Sequence, residues 1–306
     1  MAGVFATLLT VNALVTGTRG RIADERPQSG IRVEQIEYKG WANCWKISNG
    51  VAEVVVVPQT GRIMSFSFAG SGNVLFENSA LAGTIADTVQ KDWVNYGGDK
   101  LWPAPQSDWV WPPDPVLDRA TQTVRATADG ITMHGRPSQG VVFERQIHMS
   151  PDQAEIRILN RLVNVGRKAL DRSVWEICQV AKPDRAILPV SKRNGWTSLT
   201  NLPDDAAFVQ PVGDDAVQIS RDPKKGHKYG STSLAGWVAM EAGHLRLTLS
   251  TQSIAAETYP DQGSIEEVYT AGDPDDNMEL ELLGPMRHLT PGQSTSVETV
   301  WKLEKF

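Results

Sequence analysis

From Trp41 onward, apolar and polar residues alternate with a period of two, the pattern of half-buried β-strands and not of helices. Such strands read at residues 45–48, 52–57, 141–149, 155–164, 173–180, 235–240, 245–251, 264–270, 278–283 and 296–303. Asn49-Gly50 suits a type I′ hairpin, in which both turn residues need positive φ. Met64, Phe66 and Phe68 alternate with Ser65 and Ser67, and Gly70-Ser71-Gly72-Asn73 turns the chain into Val74-Leu75-Phe76 as a second hairpin. So many short, evenly spaced strands predict an all-β protein. A chain of 306 residues with this pattern is expected to form one large domain over residues 31–306.

Two stretches interrupt the pattern. Residues 80–117 carry Gly97-Gly98 and five prolines, which suit neither a strand nor a helix interior, so a long ordered loop is expected there. Loops of that length are usually functional when a compact domain keeps them. Residues 183–231 mix Pro, Gly, Asp and Lys and are expected to cross one end of the sheet. No internal repeat stands out.

Composition excludes several classes of function. A formal charge of −6, with no basic block longer than Lys224-Lys225, offers no footprint for a polyphosphate backbone, so nucleic acid is not an expected partner. Cys44 and Cys178 belong to no Cys-x-x-Cys pair and read as buried free thiols, or as a pair if the protein is exported. Residues 4–15 form an apolar run as long as a signal-peptide core, although neither a basic start nor a small-residue cleavage site flanks it. Residues 1–30 therefore read as a signal peptide, with a periplasmic or secreted destination, or as a disordered start to a cytoplasmic protein. The run is too short to span a bilayer, and no later segment approaches that length, so no membrane span is expected.

Several residues have side chains suited to a site. Ten tryptophans is a high count, and Trp93, Trp102, Trp109 and Trp111 fall within the long loop. An indole offers a flat apolar face and one N–H donor, a match for the C–H face of a pyranose, and Trp102 is the one expected to face a ligand. The same residues can instead pin the loop to the sheet. Gly97-Gly98-Asp99-Lys100-Leu101-Trp102 brings paired glycines, Asp99 and an indole together; the glycines suit either a tight turn or a close approach to ligand. Glu279 and Glu281 alternate with leucines and project from one face, while Leu280, Leu282 and Leu283 are expected to enter the core. Neighbouring carboxylates raise at least one pKa, as a general base near neutral pH requires; the plainer reading is the solvated face of an edge strand. The five histidines form no metal-binding spacing, so no metal and no cofactor are expected. His227 ranks first among them, because Lys224-Lys225-Gly226-His227-Lys228 gathers donors, Lys225 included, that suit an anionic sugar. No Gly-x-Ser-x-Gly elbow, Walker loop or cysteine-protease signature is present.

Gly61-Arg62-Ile63, the Gly97 to Pro105 run, Tyr259-Pro260-Asp261, Glu267-Val268-Tyr269-Thr270, Glu279-Leu280-Glu281-Leu282-Leu283-Gly284-Pro285 and Pro291-Gly292-Gln293 together resemble one bacterial family, domain of unknown function 4380. That family looks related to galactose-mutarotase-like, or aldose-epimerase-like, proteins. The resemblance implies a supersandwich of two large antiparallel sheets, with a carbohydrate ligand on a concave sheet face beneath end loops. It implies that Glu281 corresponds to the glutamate that takes the anomeric hydroxyl proton, with Glu279 the weaker match. Arg62, Tyr259, Asp261 and Glu267 lie in the matching motifs and are expected at the ligand. The chain departs from mutarotases at the histidine that protonates the ring oxygen, since Trp175 stands near its place; His227, Tyr259 or Glu176 would have to replace it. Three readings follow: a sugar epimerase, hydrolase or lyase with Glu281 as base; a non-catalytic carbohydrate-binding protein; and a structural domain whose concave face is filled by its own side chains.

Overall fold

The computed structural model describes residues 30–89, 92–193 and 195–306. The apolar run at residues 4–15, and with it the signal peptide or disordered start, lies outside the described residues. Two antiparallel sheets stack face to face as a supersandwich with a shared core. The first runs, in spatial order, Arg32–Tyr38, Trp41–Ser48, Ala52–Val57, Arg62–Phe68, Asp99–Ala104, Leu170–Ala181, Asn277–Leu283, Glu266–Thr270, His227–Ser231 and Trp196–Ser198, and Arg287–Leu289 also pairs with Leu170–Ala181. The second runs Val209–Val212, Ala216–Ile219, Arg185–Pro189, Trp237–Ala242, Leu245–Thr251, Ser294–Lys305, Glu155–Asn164, Val141–Met149, Gly130–His134 and Thr123–Ala126. No helix among the described residues is long and apolar enough to cross a membrane.

Alternation accounts for the core between the sheets. Met278, Leu280 and Leu282 point inward from one strand of the first sheet and meet Ile156, Ile158, Leu247 and Trp301 from the second. Burying such a side chain contributes about 1.5–3 kcal/mol. Both cysteines are buried free thiols.

The two expected loops hold more structure than their composition suggests. Asp99–Ala104 is a strand in the middle of the first sheet, paired along its length with Leu170–Ala181. On its other side it meets Arg62–Phe68 only at Ile63 and Asp99, so beyond Asp99 it is a free edge, where Pro103 is tolerated. Residues 183–231 supply five strands across both sheets. Val74-Leu75-Phe76 follows the expected turn, with the Val74 N–H donating to Phe66 O, but then leaves that strand, and Leu75 bridges Val180. At Asn49-Gly50 only Gly50 has positive φ; Asn49 Oδ1 instead accepts the N–H groups of Val51 and Ala52, so the side chain closes the turn.

Candidate functional site

Strand register brings the polar residues of five strands onto the outer face of the first sheet. Ile177 lies opposite Glu281 and Lys100, Gln179 opposite Glu279, and Trp175 opposite Trp102 and Leu283. Glu267 lies opposite Glu281, Tyr269 opposite Glu279, and Lys228 opposite Tyr269. Directly opposed residues share a face, so all of these project away from the core. Gln179, Lys228, Tyr269, Glu279 and Glu281 form the floor of a cleft of about 410 Å³, walled by Trp93, Trp102, Trp111 and Trp175 and by Leu199 and Thr200.

Two ammonium groups order the floor. Lys100 Nζ donates to Glu279 Oε1 at 2.7 Å, and Gln179 Nε2 donates to the same oxygen at 2.8 Å. The Lys100 ammonium also lies 4.9 Å from the Trp102 ring centre. Lys228 Nζ stands 2.7 Å from Glu267 Oε2, 3.1 Å from Glu281 Oε2 and 4.1 Å from the Trp175 ring centre. Trp175 Nε1 donates to Glu281 Oε2 at 2.5 Å, and the Glu267 carboxyl also hydrogen-bonds Glu281. Lys228 thus sits between an aromatic face and two carboxylates, a geometry that holds a cation firmly.

Burial sets the protonation pattern. It raises the Glu281 carboxyl above its ordinary range; Lys228 opposes the shift and Glu279 adds to it. Burial also raises Glu267, against the pull of Lys228. Burial alone would lower Lys228, but the fields of Glu267, Glu281 and Asp261 outweigh it and keep the ammonium charged. Tyr269 is raised by burial and by Glu279 and Glu281.

Of the residues singled out in the sequence, Trp102, Trp175, Glu279 and Glu281 line this cleft, and Glu267 lies just behind Lys228. Asp261 Oδ2 stands 3.9 Å from the Lys228 ammonium. Leu283 faces the tryptophans and not the core, because it shares the parity of Glu279 and Glu281. Arg62 does not line the cleft: it is fully buried, with Nη2 2.9 Å from Asp118 Oδ1 and Nη1 donating to Gly97 O. Asp118 Oδ1 also accepts the Trp102 indole N–H at 2.8 Å, so Arg62 reaches the cleft only through that wall. Asp99 is one residue out of phase with Lys100 and points between the sheets, where it pairs with Arg145. Glu176 joins it there, beside Arg145 and Asn160.

His227 also faces inward, because Lys228 takes the cleft side of that strand. Its Nδ1 lies 2.5 Å from Asp205 Oδ1 and its Nε2 3.1 Å from Asp222 Oδ2. Asp204, Asp222 and His227 bring possible metal-ligand atoms within 4.8 Å of one another, but both ring nitrogens of His227 are engaged and Asp204 is paired with Lys225. Lys225 is therefore tied at the surface, and the Tyr259 hydroxyl accepts the Ile254 N–H. The site residues missed in the sequence are Lys100, Lys228, Gln179 and Tyr269. Alternation within Asp99–Ala104 and His227–Ser231 would have placed Lys100 beside Trp102 and Lys228 outward, had those stretches been read as strands.

The two stacked antiparallel sheets give the chain a galactose-mutarotase-like fold. Within that class the chain belongs to the family described as Domain of unknown function (DUF4380), whose model matches residues 43–304. Solved structures share the fold. A candidate aldose 1-epimerase from Escherichia coli K12 is 14% identical, with a TM-score of 0.58 over 86% of this chain and 99% of its own. A galactose mutarotase-like protein from Clostridium acetobutylicum is 10% identical, with a TM-score of 0.56 over 90% and 99%. One from Lactobacillus casei is 8% identical, with a TM-score of 0.55 over 85% and 100%. No curated protein matches the sequence.

Proposed function

We propose that the concave cleft binds a carbohydrate and that Glu281 acts on it as a general base, in the manner of an aldose epimerase. The observation that carries this reading is Glu281 itself: a buried carboxyl raised above its ordinary range, beside the Lys228 ammonium on the floor of a tryptophan-walled cleft. A base with a raised pKa retains proton affinity near neutral pH, where it can take a hydroxyl proton. The Lys228 ammonium is held too tightly to give up its proton; it stabilises the oxyanion that forms as the sugar ring opens. When the ring closes again, the Glu281 carboxyl returns the hydroxyl proton to the anomeric oxygen.

The test is anomer exchange followed by polarimetry on a panel of aldoses, with sugar affinity measured in parallel. Glu281→Gln should cut the exchange rate by about 10²–10⁴-fold, the usual worth of general-base catalysis, and leave affinity within a few-fold. A variant that turns over at the wild-type rate would remove Glu281 from the chemistry. A second reading, a non-catalytic carbohydrate-binding protein, draws on the fact that no histidine lines the cleft among the described residues. It is the right one if the wild-type protein binds a sugar and exchanges no anomer.

A further inference from the structure

A second cavity of about 500 Å³ adjoins the cleft, and Trp102 and Trp111 belong to the walls of both. Trp111 is the ridge between them. It is 51% exposed, beside Val110 at 88%, in a protein whose other loop tryptophans are at least partly covered. It is also fixed: its ring meets Trp93 at 5.2 Å and Trp102 at 5.9 Å, both edge-on, and Trp102 in turn meets Trp109 at 5.7 Å. A rigid, exposed indole on a ridge between two cavities presents apolar surface that nothing in the fold covers.

The second cavity has the mixed lining that sugar rings need. Trp109 and Pro112 supply flat apolar walls, and Arg172, Asp108 and Gln139 supply planar polar groups at the rim. Arg172 is ion-paired with Asp108, which holds the guanidinium fork in place. Each cavity has room for a sugar ring of its own, and the ridge residue suits the face of a unit passing from one to the other.

We propose that the ligand is an oligosaccharide lying across both cavities, with Trp111 stacked on the unit that crosses the ridge and Arg172 hydrogen-bonding the unit beyond it. The proposal rests on the reading of the concave cleft as a sugar site and adds to it the length of the substrate. It is tested by titrating the protein with gluco-, galacto-, manno-, xylo- and galacturono-oligosaccharides, each from one to four units, following tryptophan fluorescence. At least one series should gain about tenfold in affinity between one unit and three, the worth of one added stacked ring. Trp111→Ala and Arg172→Ala should each erase most of that gain. A sugar that binds as a monosaccharide with no gain from added units overturns the proposal and leaves the sugar cleft standing. A gain with length that both variants retain overturns the placement across the ridge. Failure of every series at every length overturns both readings.

Discussion

The charge that fixes the cleft wall is two contacts away from any ligand. Asp118 Oδ1 joins the buried Arg62 guanidinium to the Trp102 indole, so a carboxylate on a short helix, Pro115–Arg119, orients an aromatic on the sheet. Removing one partner of a buried ion pair leaves the other charge uncompensated, at about 3–5 kcal/mol. Asp118→Ala should therefore lower the unfolding free energy in urea by about that amount and weaken sugar binding as Trp102 loosens. An unchanged urea midpoint would mean that Arg62 finds another partner. Trp102 itself packs edge-on against Trp109, Trp111 and Trp175 and is 4% exposed. Trp102→Ala should thus cost stability, about 3–5 kcal/mol for a buried tryptophan, as well as affinity. Its effect on binding is interpretable only beside a melting curve.

At the level of the element, the Gly97-Gly98 pair is what lets the Asp99–Ala104 strand enter the sheet. Both have positive φ, and a Cβ would lie 2.2 Å from Phe76 O at Gly97 and 2.4 Å from Ile63 O at Gly98. The pair serves a backbone crossing and not a ligand. Gly98→Ala combines a disfavoured conformation with a backbone clash, and it should destabilise by roughly 2 kcal/mol or more. A melting temperature equal to wild type would show that the crossing can relax. This element also marks where the sequence became hard to read. Strands with clean alternation, such as Glu155–Asn164 and Asn277–Leu283, declare themselves because one face is apolar. Asp99–Ala104 and His227–Ser231 are buried on both faces by polar side chains as well as apolar ones, so Lys100 and Lys228 look like loop residues until their ion partners are in place. The carboxylates Glu279 and Glu281 were legible because leucines flank them. The ammonium groups that complement them come from distant strands, and no local pattern announces such pairing.

Across the whole molecule, carboxyl groups buried between and beside the sheets tie stability to pH. Glu176 lies in the layer between the sheets with Asp99, Arg145 and Asn160, and burial, helped by Asp99, lifts it from 4.5 to about 7 against the pull of Arg145. Glu266 accepts the Gly236 N–H at 2.6 Å, and burial lifts it to about 8. A carboxyl whose pKa is raised by folding binds more protons in the folded chain than in the unfolded one. Its contribution is complete below its ordinary value of 4.5 and is lost as pH rises through the folded value. Glu176 then removes on the order of 3 kcal/mol between pH about 4.5 and about 7, and Glu266 on the order of 5 kcal/mol between about 4.5 and about 8. The acid limb runs the other way. Asp222 is lowered by the Lys224 N–H and by His227, so its contribution is lost as pH falls below 3.8. Stability should therefore peak near the upper edge of that acid limb and decline steadily toward pH 8, not reach its maximum at neutrality. Urea denaturation at a series of pH values between 4 and 9 measures this curve. Glu266→Gln, which fixes the side chain in its neutral form, should flatten the decline nearest pH 8 and leave the Glu176 portion intact. A wild-type curve that is level or rising between pH 5 and 8 would mean that these two carboxyls are already ionised in the folded protein.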